Sequence, residues 1–518
     1  MIGSSQRISK NIAFNWAGMG VGMVLSFIQA PIVVLGLGNT WYGILVLVNQ
    51  ITGYTWLFDL GIREAVVRYV SKHYSRKEFD EINEIVSSAI YLYLFISVLT
   101  IAVVSVLILL LPHIFRLEES VVSVTRLVLL LTGLNIALNW FFNAYIGILM
   151  GLQRFDIFQK IGMAMSVVGF ILVVTVIKAG YGIIALSLVG LGGTIISNAL
   201  IYWQCRKLLP EFKLLRLTRQ RMQFRSLINY GKYVFLNNIS SKIIFATDAV
   251  VIGIFLPVSV ITFYAIPSSL VSYMRGLIEM STWVLTPFFS ELESKNDMAK
   301  IKSILARGTK LSLLLGLPIG IVYLFMGKNF ISLWMGSEYG EGSAFVLIIL
   351  TLPAIFGLWR PIINSALHGL SRHHIIAYLL IGEASVNIIL SVIFVKIWGI
   401  VGVALGTAIP HILFMGIILP VVVCRNLGIS TINYLRKSIL PPFFSSIPFT
   451  ACCYVVSVYF PAKNLVVFFL WVAAILPVFC VSAWYISFSK VERDAYLETA
   501  CRYIPALRFF TKKGIARV

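Results

Sequence analysis

Stretches of roughly 18 or more apolar residues recur along the whole chain, and each is long enough to cross a hydrocarbon core about 30 Å thick. Only helices and closed barrels satisfy every backbone hydrogen bond within lipid. A barrel would need strands of about ten residues in which apolar and polar positions alternate. The sequence does not show this alternation, and only 12% of its residues are charged. We therefore predict an all-α polytopic membrane protein.

Breaks in the apolar pattern divide the chain into about 14 candidate transmembrane helices. These spans lie near residues 11–36, 41–62, 84–111, 119–149, 157–177, 181–203, 229–256, 259–289, 309–326, 343–368, 374–395, 398–423, 438–460 and 465–487. Because the number of spans is even, both termini should lie on the same side of the membrane.

The distribution of lysine and arginine predicts which side that is. With these bounds, 30 of the 42 Lys and Arg residues lie in the termini and the even-numbered loops, and five lie in the odd-numbered loops. Basic loops stay on the cytoplasmic side of a membrane, so we predict that both termini are cytoplasmic. The same bias accounts for most of the net charge of +21. The charge therefore gives no reason to predict binding to nucleic acid.

The sequence also shows traces of an internal repeat. A shift of 222 residues places Tyr42 on Tyr264, and a shift of 218 places the segment 151–154 on the segment 369–372. Each repeat would hold six spans, so the halves share one orientation, as in transporters with parallel repeats. The predicted organisation is a six-helix bundle over 1–204, a basic cytoplasmic linker over 205–228, a second six-helix bundle over 229–424, two additional spans over 438–487 and a basic interfacial tail over 488–518.

The first 75 residues carry a motif. In chain order it consists of Leu35-Gly36-Leu37-Gly38, Trp41-Tyr42-Gly43, Phe58-Asp59-Leu60-Gly61-Ile62 and Ala65-Val66-Val67-Arg68-Tyr69-Val70-Ser71. This opening resembles that of the polysaccharide transporter family, which includes the Wzx-type flippases for lipid-linked oligosaccharide (O-antigen) repeat units. That family belongs to the multidrug/oligosaccharidyl-lipid/polysaccharide flippase superfamily. The span count and the two halves extend the resemblance over most of the chain.

The resemblance implies two six-helix bundles that form a V around a central cavity with alternating access. It implies a flippase that moves undecaprenyl-pyrophosphate-linked oligosaccharides from the inner to the outer leaflet of the bacterial cytoplasmic (inner) membrane, for the assembly of O-antigen lipopolysaccharide, capsule or exopolysaccharide. The head group would cross through the cavity while the lipid tail stays in the bilayer. Such a protein is a transporter and not an enzyme, and its partners are the lipid-linked oligosaccharide and the membrane lipids.

Two pairs of opposite charges lie within the spans. Asp59 and Arg63 are four residues apart, as are Arg275 and Glu279, so each pair can meet on one helix face. We interpret Asp59 and Arg63 as an intrahelical pair, with a cytoplasmic gate between the bundles as the alternative. The Arg275 and Glu279 pair lies near mid-membrane, where charge is costly, which indicates a function.

Other ionisable residues in the spans are candidates for contact with the substrate or with a coupling ion. The candidates for binding phosphate or acidic sugars are Arg126, Lys242, Arg275 and Arg360. Arg126 could instead reach lipid headgroups at the outer surface. The candidates for coupling to a proton or sodium ion are Asp248, Glu279 and Glu383, with a neutralised structural carboxyl as the alternative for each. His411 is interpreted as a hydrogen-bonded packing residue.

Other classes of function are less consistent with the sequence. An ATP-driven pump would need a glycine-rich phosphate loop, which the sequence lacks. A drug/cation antiporter of the same fold would favour acidic groups, and a membrane glycosyltransferase or polymerase would need a large external loop with catalytic residues. Both stay as alternatives. The six cysteines show neither metal-ligand nor disulfide spacing, so we expect no metal site and no cofactor.

The tail over 488–518 is basic and contains scattered apolar residues. Its Arg502, Arg508, Lys512 and Lys513 lie among Leu, Ile and Phe, which is typical of an interfacial helix on an anionic leaflet. A docking site for a polysaccharide polymerase or a chain-length regulator is the alternative role.

Overall fold

The computed structural model describes residues 4–59, 61–215, 247–282, 285–370, 372 and 374–503. Within these ranges the chain is almost entirely helical, without a β-strand, which confirms the predicted fold class. Ten helical segments of the described chain are long and apolar enough to cross a membrane. The protein is therefore a multi-pass helical membrane protein.

The helices are numbered in chain order. They are α1 (Ser4–Gly53), α2 (Ile62–Ser75), α3 (Phe79–Ile114), α4 (Glu119–Gly151), α5 (Phe155–Lys178), α6 (Gly182–Leu208), α7 (Asp248–Phe255), α8 (Ile261–Thr282), α9 (Leu285–Ser294), α10 (Met298–Met335), α11 (Ser337–Phe356), α12 (Arg360–Gly369), α13 (His374–His411), α14 (Leu419–Asn426), α15 (Thr431–Tyr434), α16 (Leu440–Tyr459), α17 (Leu465–Ser482) and α18 (Lys490–Tyr503). Short 3₁₀ segments occur at Tyr54–Asp59 and Val258–Val260, and π-helical segments at Ile412–Ile418, Leu435–Ile439 and Ala483–Ser487.

A single glycine separates the first two predicted spans. The backbone of Gly38 has a φ of 76° within α1, a conformation that glycine adopts at little cost. The spans near 11–36 and 41–62 therefore follow each other without a loop. This explains why the break in the apolar pattern is so short.

The second predicted span of the first half is broken. In the first half, α1 ends at Gly53, a 3₁₀ turn follows over Tyr54–Asp59, and α2 begins at Ile62. Irregular backbone at membrane depth is tolerated where it is buried in protein or lines a cavity. This break therefore marks a place to search for a functional site.

The chain divides into two compact units. Unit 1 comprises Met1–Pro267 and Leu380–Pro410, and unit 2 comprises Ser268–Leu379 and His411–Val518. The chain passes between the units within α8 and within α13. The predicted domain boundaries follow the sequence repeat and stay a prediction.

In unit 1, a buried apolar cluster joins α2, α3, α4 and α6. Within it, Tyr93 of α3 stacks on Trp140 of α4, with the ring centroids 5.9 Å apart. Such an aromatic pair contributes about 0.5–1.5 kcal/mol beyond its buried area. The pair gives a rigid support to polar groups that contact it.

In unit 2, α10 packs against α11, α12 and α16. A Cβ atom at Gly316 would lie 2.4 Å from Leu358 Cδ2 and 2.8 Å from Ile278 Cδ1. Small residues allow membrane helices to approach closely. Gly316 thus sets the position of α8 and of the segment that links α11 to α12.

Candidate functional site

A cleft in unit 2 brings together ionisable residues from three helices. Arg275 and Glu279 come from α8, Arg360 begins α12, and His411 ends α13. The rest of its lining is Ile278, Ala354, Gly357, Leu358 and Pro361. Two guanidinium groups therefore face one carboxylate and one imidazole in a largely apolar wall. We call this site the anion cleft.

The start of α12 contributes a helix N-terminus to the anion cleft. The tenth predicted span is interrupted between Phe356 and Arg360, and α12 begins at Arg360, with Pro361 in its first turn. Proline suits this position because the amide it lacks would have no partner within the helix. The N-terminus of a helix carries a partial positive charge and favours anions. The half-buried Arg360 adds a full charge at the same place.

Three hydrogen bonds hold the walls of the anion cleft in place. Ser365 Oγ donates to the Thr282 carbonyl at 3.1 Å, which fixes the end of α8 against α12. Tyr323 Oη donates to the Leu270 carbonyl at 3.2 Å, which ties α8 to α10. Trp359 Nε1 donates to a carbonyl of the π segment. The two arginines are thus carried by helices that are bonded to each other.

The predicted pairing of Arg275 with Glu279 takes a different form in the structure. Arg275 Nη2 donates to Ser272 Oγ at 3.2 Å, one turn earlier on α8. Within the part of the chain that the structure describes, no ion pair joins Arg275 to Glu279. Both side chains line the anion cleft.

Asp59 and Arg63 have separate partners in unit 1. Tyr93 Oη donates to Asp59 Oδ1 at 2.8 Å, and the Arg63 backbone N–H donates to the same carboxylate. The Arg63 guanidinium pairs with Glu64 instead, at 3.2 Å. Asp59 and Arg63 do not form an intrahelical pair because the helix is broken between them. Asp59 precedes α2, which begins only at Ile62. The proposed gating role of the two residues stays a prediction.

The predicted carboxylates Asp248 and Glu383 lie in unit 1, where α7, α8 and α13 form a buried polar cluster. Tyr264 Oη donates to Asp248 Oδ2 at 2.5 Å, and Thr407 Oγ1 donates to Asp248 Oδ1 at 3.0 Å. Asn387 Nδ2 donates to Thr407 Oγ1 at 2.9 Å. Glu383 is 1% exposed and lies one turn before Asn387 on α13. We call these five residues the oxygen cluster.

Two predicted substrate contacts lie elsewhere. Arg126 is exposed on α4 of unit 1 and does not line the anion cleft. Lys242 lies outside the described residues. Their roles stay predictions.

The contacts of several polar residues in both sites were not predicted from the sequence. His411 joins residues from distant parts of the chain, and no spacing in the sequence indicates that contact. The oxygen cluster left a clearer signal, because Glu383, Asn387 and Ser391 recur every four residues within an apolar span. All three are at most 1% exposed. Such a buried polar stripe on one helix face is unusual in a membrane span.

Comparison with known proteins places the chain among proteins of polysaccharide assembly. A family model described as a polysaccharide biosynthesis protein matches residues 21–344. The chain is similar to the putative O-antigen transporter of Shigella flexneri, with 22% identity over 416 residues that cover 78% of this chain and 95% of that protein. It is also similar to the probable low-salt glycan biosynthesis flippase Agl15 of Haloferax volcanii, with 30% identity over 185 residues. That alignment covers 36% of this chain and 39% of Agl15.

A solved structure has the same fold. The lipid II flippase MurJ, in an inward closed conformation, superposes with a TM-score of 0.71 and 18% identity. The superposition covers 91% of this chain and 98% of that chain. At this identity the likeness establishes the fold alone.

Proposed function

Since the chain belongs to the family of polysaccharide biosynthesis proteins, we propose that it is a flippase for undecaprenyl-pyrophosphate-linked oligosaccharide repeat units. It moves them from the inner to the outer leaflet of a bacterial cytoplasmic membrane, with both of its termini in the cytoplasm. The observation that carries this proposal is the anion cleft, in which Arg275 and Arg360, both within predicted spans, line one cleft beside the start of α12.

The chemistry of the anion cleft suits a phosphate group. Each guanidinium can bind two phosphate oxygens through parallel N–H donors, and the helix start adds a favourable partial charge. The carboxylate of Glu279 offsets one arginine, which keeps binding weak enough for release, as transport requires.

Contacts within unit 1 support alternating access. Thr262 Oγ1 donates to the Asn39 carbonyl at 2.8 Å, and the Arg116 backbone N–H donates to the Gly253 carbonyl at 3.0 Å. Both bonds join the first predicted half to the second, at ends predicted to face outside. We propose that this outer contact closes the outer side in the present state and separates in the alternate state.

Transport by the purified protein tests the class of substrate. In proteoliposomes, we expect translocation of a fluorescent lipid-linked oligosaccharide and no export of small organic cations. Removing both cleft arginines, in the variant Arg275→Ala/Arg360→Ala, should abolish translocation. Arg425→Ala, an exposed arginine of unit 2 outside the cleft, should transport like the wild type. Export of cations without movement of any lipid-linked sugar would identify a drug/cation antiporter instead.

We propose further that the oxygen cluster binds the coupling ion, a proton or Na⁺. The carboxylate of Asp248 accepts from the hydroxyls of Tyr264 and Thr407, and hard cations prefer such oxygen ligands. A buried carboxylate can also carry a proton. Glu279, the third predicted coupling residue, lines the anion cleft in unit 2.

Imposed ion gradients distinguish coupling to Na⁺ from coupling to a proton. If Na⁺ is coupled, a sodium gradient should accelerate translocation by the wild type and a proton gradient should not; the reverse holds for a proton. Asp248→Asn should lose this acceleration while the purified variant still binds the lipid-linked substrate. Glu119→Gln, an exposed carboxylate of the same unit, is the matched control. Acceleration that survives in both Asp248→Asn and Glu383→Gln would exclude the oxygen cluster from coupling.

A further inference from the structure

His411 lies in the wall of the anion cleft, where the backbone changes geometry. The α-helical part of α13 ends at His411, and a π-helical segment begins at Ile412. The side chain is only 5% exposed. π-Helical segments within helices are frequent at functional sites. The backbone therefore holds this histidine in a defined orientation inside the cleft.

The imidazole is in direct contact with the turn that precedes Arg360. A Cβ atom at Gly357 would lie 2.7 Å from His411 Nε2. A side chain at position 357 would displace the ring, since this distance is shorter than van der Waals contact allows. Gly357 thus permits the ring to lie against the turn that leads into Arg360.

A second contact ties His411 to Arg360 through the backbone. Trp359 Nε1 donates to the Met415 carbonyl at 2.9 Å. Trp359 immediately precedes Arg360, and Met415 lies one turn after His411 in the π segment. The imidazole and the guanidinium therefore extend from one hydrogen-bonded frame, which keeps them close when a ligand binds.

Among the described residues, the charged groups that line the cleft with His411 come from two helices. Arg275 and Glu279 of α8 and Arg360 of α12 line the same cleft. The lining residues from α11 and from the following turn are apolar, and the segment Ile412–Ile418 contains no ionisable residue. A diphosphate that enters the cleft would therefore add its charge to these groups beside the imidazole.

We propose that His411 is a third contact to the anionic head group, which it binds as the imidazolium by donating an N–H to a phosphate oxygen. This inference rests on the proposed function of the anion cleft. Histidine is the side chain that ordinarily changes its charge between pH 5 and 8. Binding of the head group then takes up a proton, so the affinity falls as the pH rises through this range.

Calorimetry on the full-length protein in nanodiscs tests the proposal, with undecaprenyl pyrophosphate as the probe. Titrations in two buffers of different ionisation enthalpy give the number of protons taken up on binding. The lipid phosphate itself titrates with a pKa of about 6, so the comparison between variants is the readout. The wild type should take up as much as one more proton than His411→Gln. For each unit by which the pH is lowered, the affinity of the wild type should also rise by up to about tenfold more than that of His411→Gln.

Two further variants complete the experiment. His113→Gln removes an exposed histidine of unit 1 and should bind and take up protons like the wild type. Gly357→Ala keeps the histidine but displaces its ring, and it should weaken binding while its thermal unfolding stays close to that of the wild type. It tests the contact even if His411→Gln does not fold.

The possible failures are distinguishable. If Arg275→Ala/Arg360→Ala abolishes binding while His411→Gln keeps the wild-type affinity and proton uptake, the role of His411 is overturned and the anion cleft stands. The role of His411 would also be overturned if Gly357→Ala kept the wild-type affinity and the wild-type proton uptake. If the wild type does not bind undecaprenyl pyrophosphate at all, both proposals are wrong.

Discussion

At the scale of single residues, the missing side chain of Gly43 lets α1 contact the segment between α7 and α8. A Cβ atom at this position would lie 2.2 Å from the Val258 carbonyl oxygen. The contact is between two backbones, so neither side can relax by changing a rotamer. Gly43 lies one turn from Asn39, whose carbonyl accepts the bond from Thr262. The outer contact therefore depends on a glycine here.

Gly43→Ala should open the outer contact. Overpacking costs about 1–3 kcal/mol, which corresponds to an increase of about 5- to 150-fold in the open population. The measurement is labelling of Thr262→Cys, a buried position, by a membrane-impermeant maleimide added from outside. Gly20→Ala is the matched control, because a Cβ atom there would have no neighbour within 4 Å. Labelling no faster in Gly43→Ala than in Gly20→Ala would contradict the assignment of this contact as a gate.

At the scale of elements, the tail helix α18 docks on α10. Both Glu492 carboxylate oxygens accept from Lys310 Nζ at 3.0 Å. The Ser489 backbone N–H donates to Glu492 Oε2 at 2.9 Å, and the Glu492 N–H donates back to Ser489 Oγ at 3.3 Å, a capping box. The described helix carries three basic and three acidic residues. The basic residues 508–517 of the predicted interfacial tail lie outside the described part.

Glu492→Gln should loosen α18. A charge-assisted hydrogen bond contributes about 1.5–3 kcal/mol, so backbone amides of residues 490–503 should exchange hydrogen about tenfold faster or more. Glu498→Gln, an exposed residue of the same helix, should leave exchange unchanged. Equal exchange in the two variants would show that the ion pair does not hold the helix.

The same pair predicts a dependence on pH. Burial raises the pKa of Glu492, but the bonds from the Ser489 N–H and from Lys310 outweigh it, so the pKa is lowered. A lowered pKa means that this stabilisation is fully present above the ordinary glutamate range and is lost as the pH falls through the lowered value. Protection of α18 in the wild type should therefore persist at neutral pH and disappear only in acid.

At the scale of the whole molecule, two charged sites divide between the two units. Unit 2 holds the anion cleft with Arg275 and Arg360, and unit 1 holds the oxygen cluster around Asp248. One site suits an anionic head group and the other suits a cation. A transporter that couples a lipid-linked anion to an ion gradient needs both kinds of site.

Hydropathy and the distribution of basic residues are sufficient to predict the helical class and most of the spans, because both signals are local. The sites depend on contacts between distant segments. Arg275, Arg360 and His411 meet only because α8, a break after α11 and the end of α13 pack together. The break at Tyr54–Asp59 likewise directs Asp59 to Tyr93, although its spacing from Arg63 predicted a helical pair. Helix breaks inside apolar spans leave little trace in composition, which is why these partners were not predicted.

The central claim is that the anion cleft holds the diphosphate of a lipid-linked oligosaccharide during translocation. The most direct test compares one oligosaccharide on undecaprenyl pyrophosphate with the same oligosaccharide on an uncharged polyprenyl lipid, in proteoliposomes of the wild type and of Arg275→Ala/Arg360→Ala. We expect the wild type to move the charged lipid and not the uncharged one, and the double variant to move neither. Equal transport of both lipids by the wild type, or undiminished transport by the double variant, would contradict this claim.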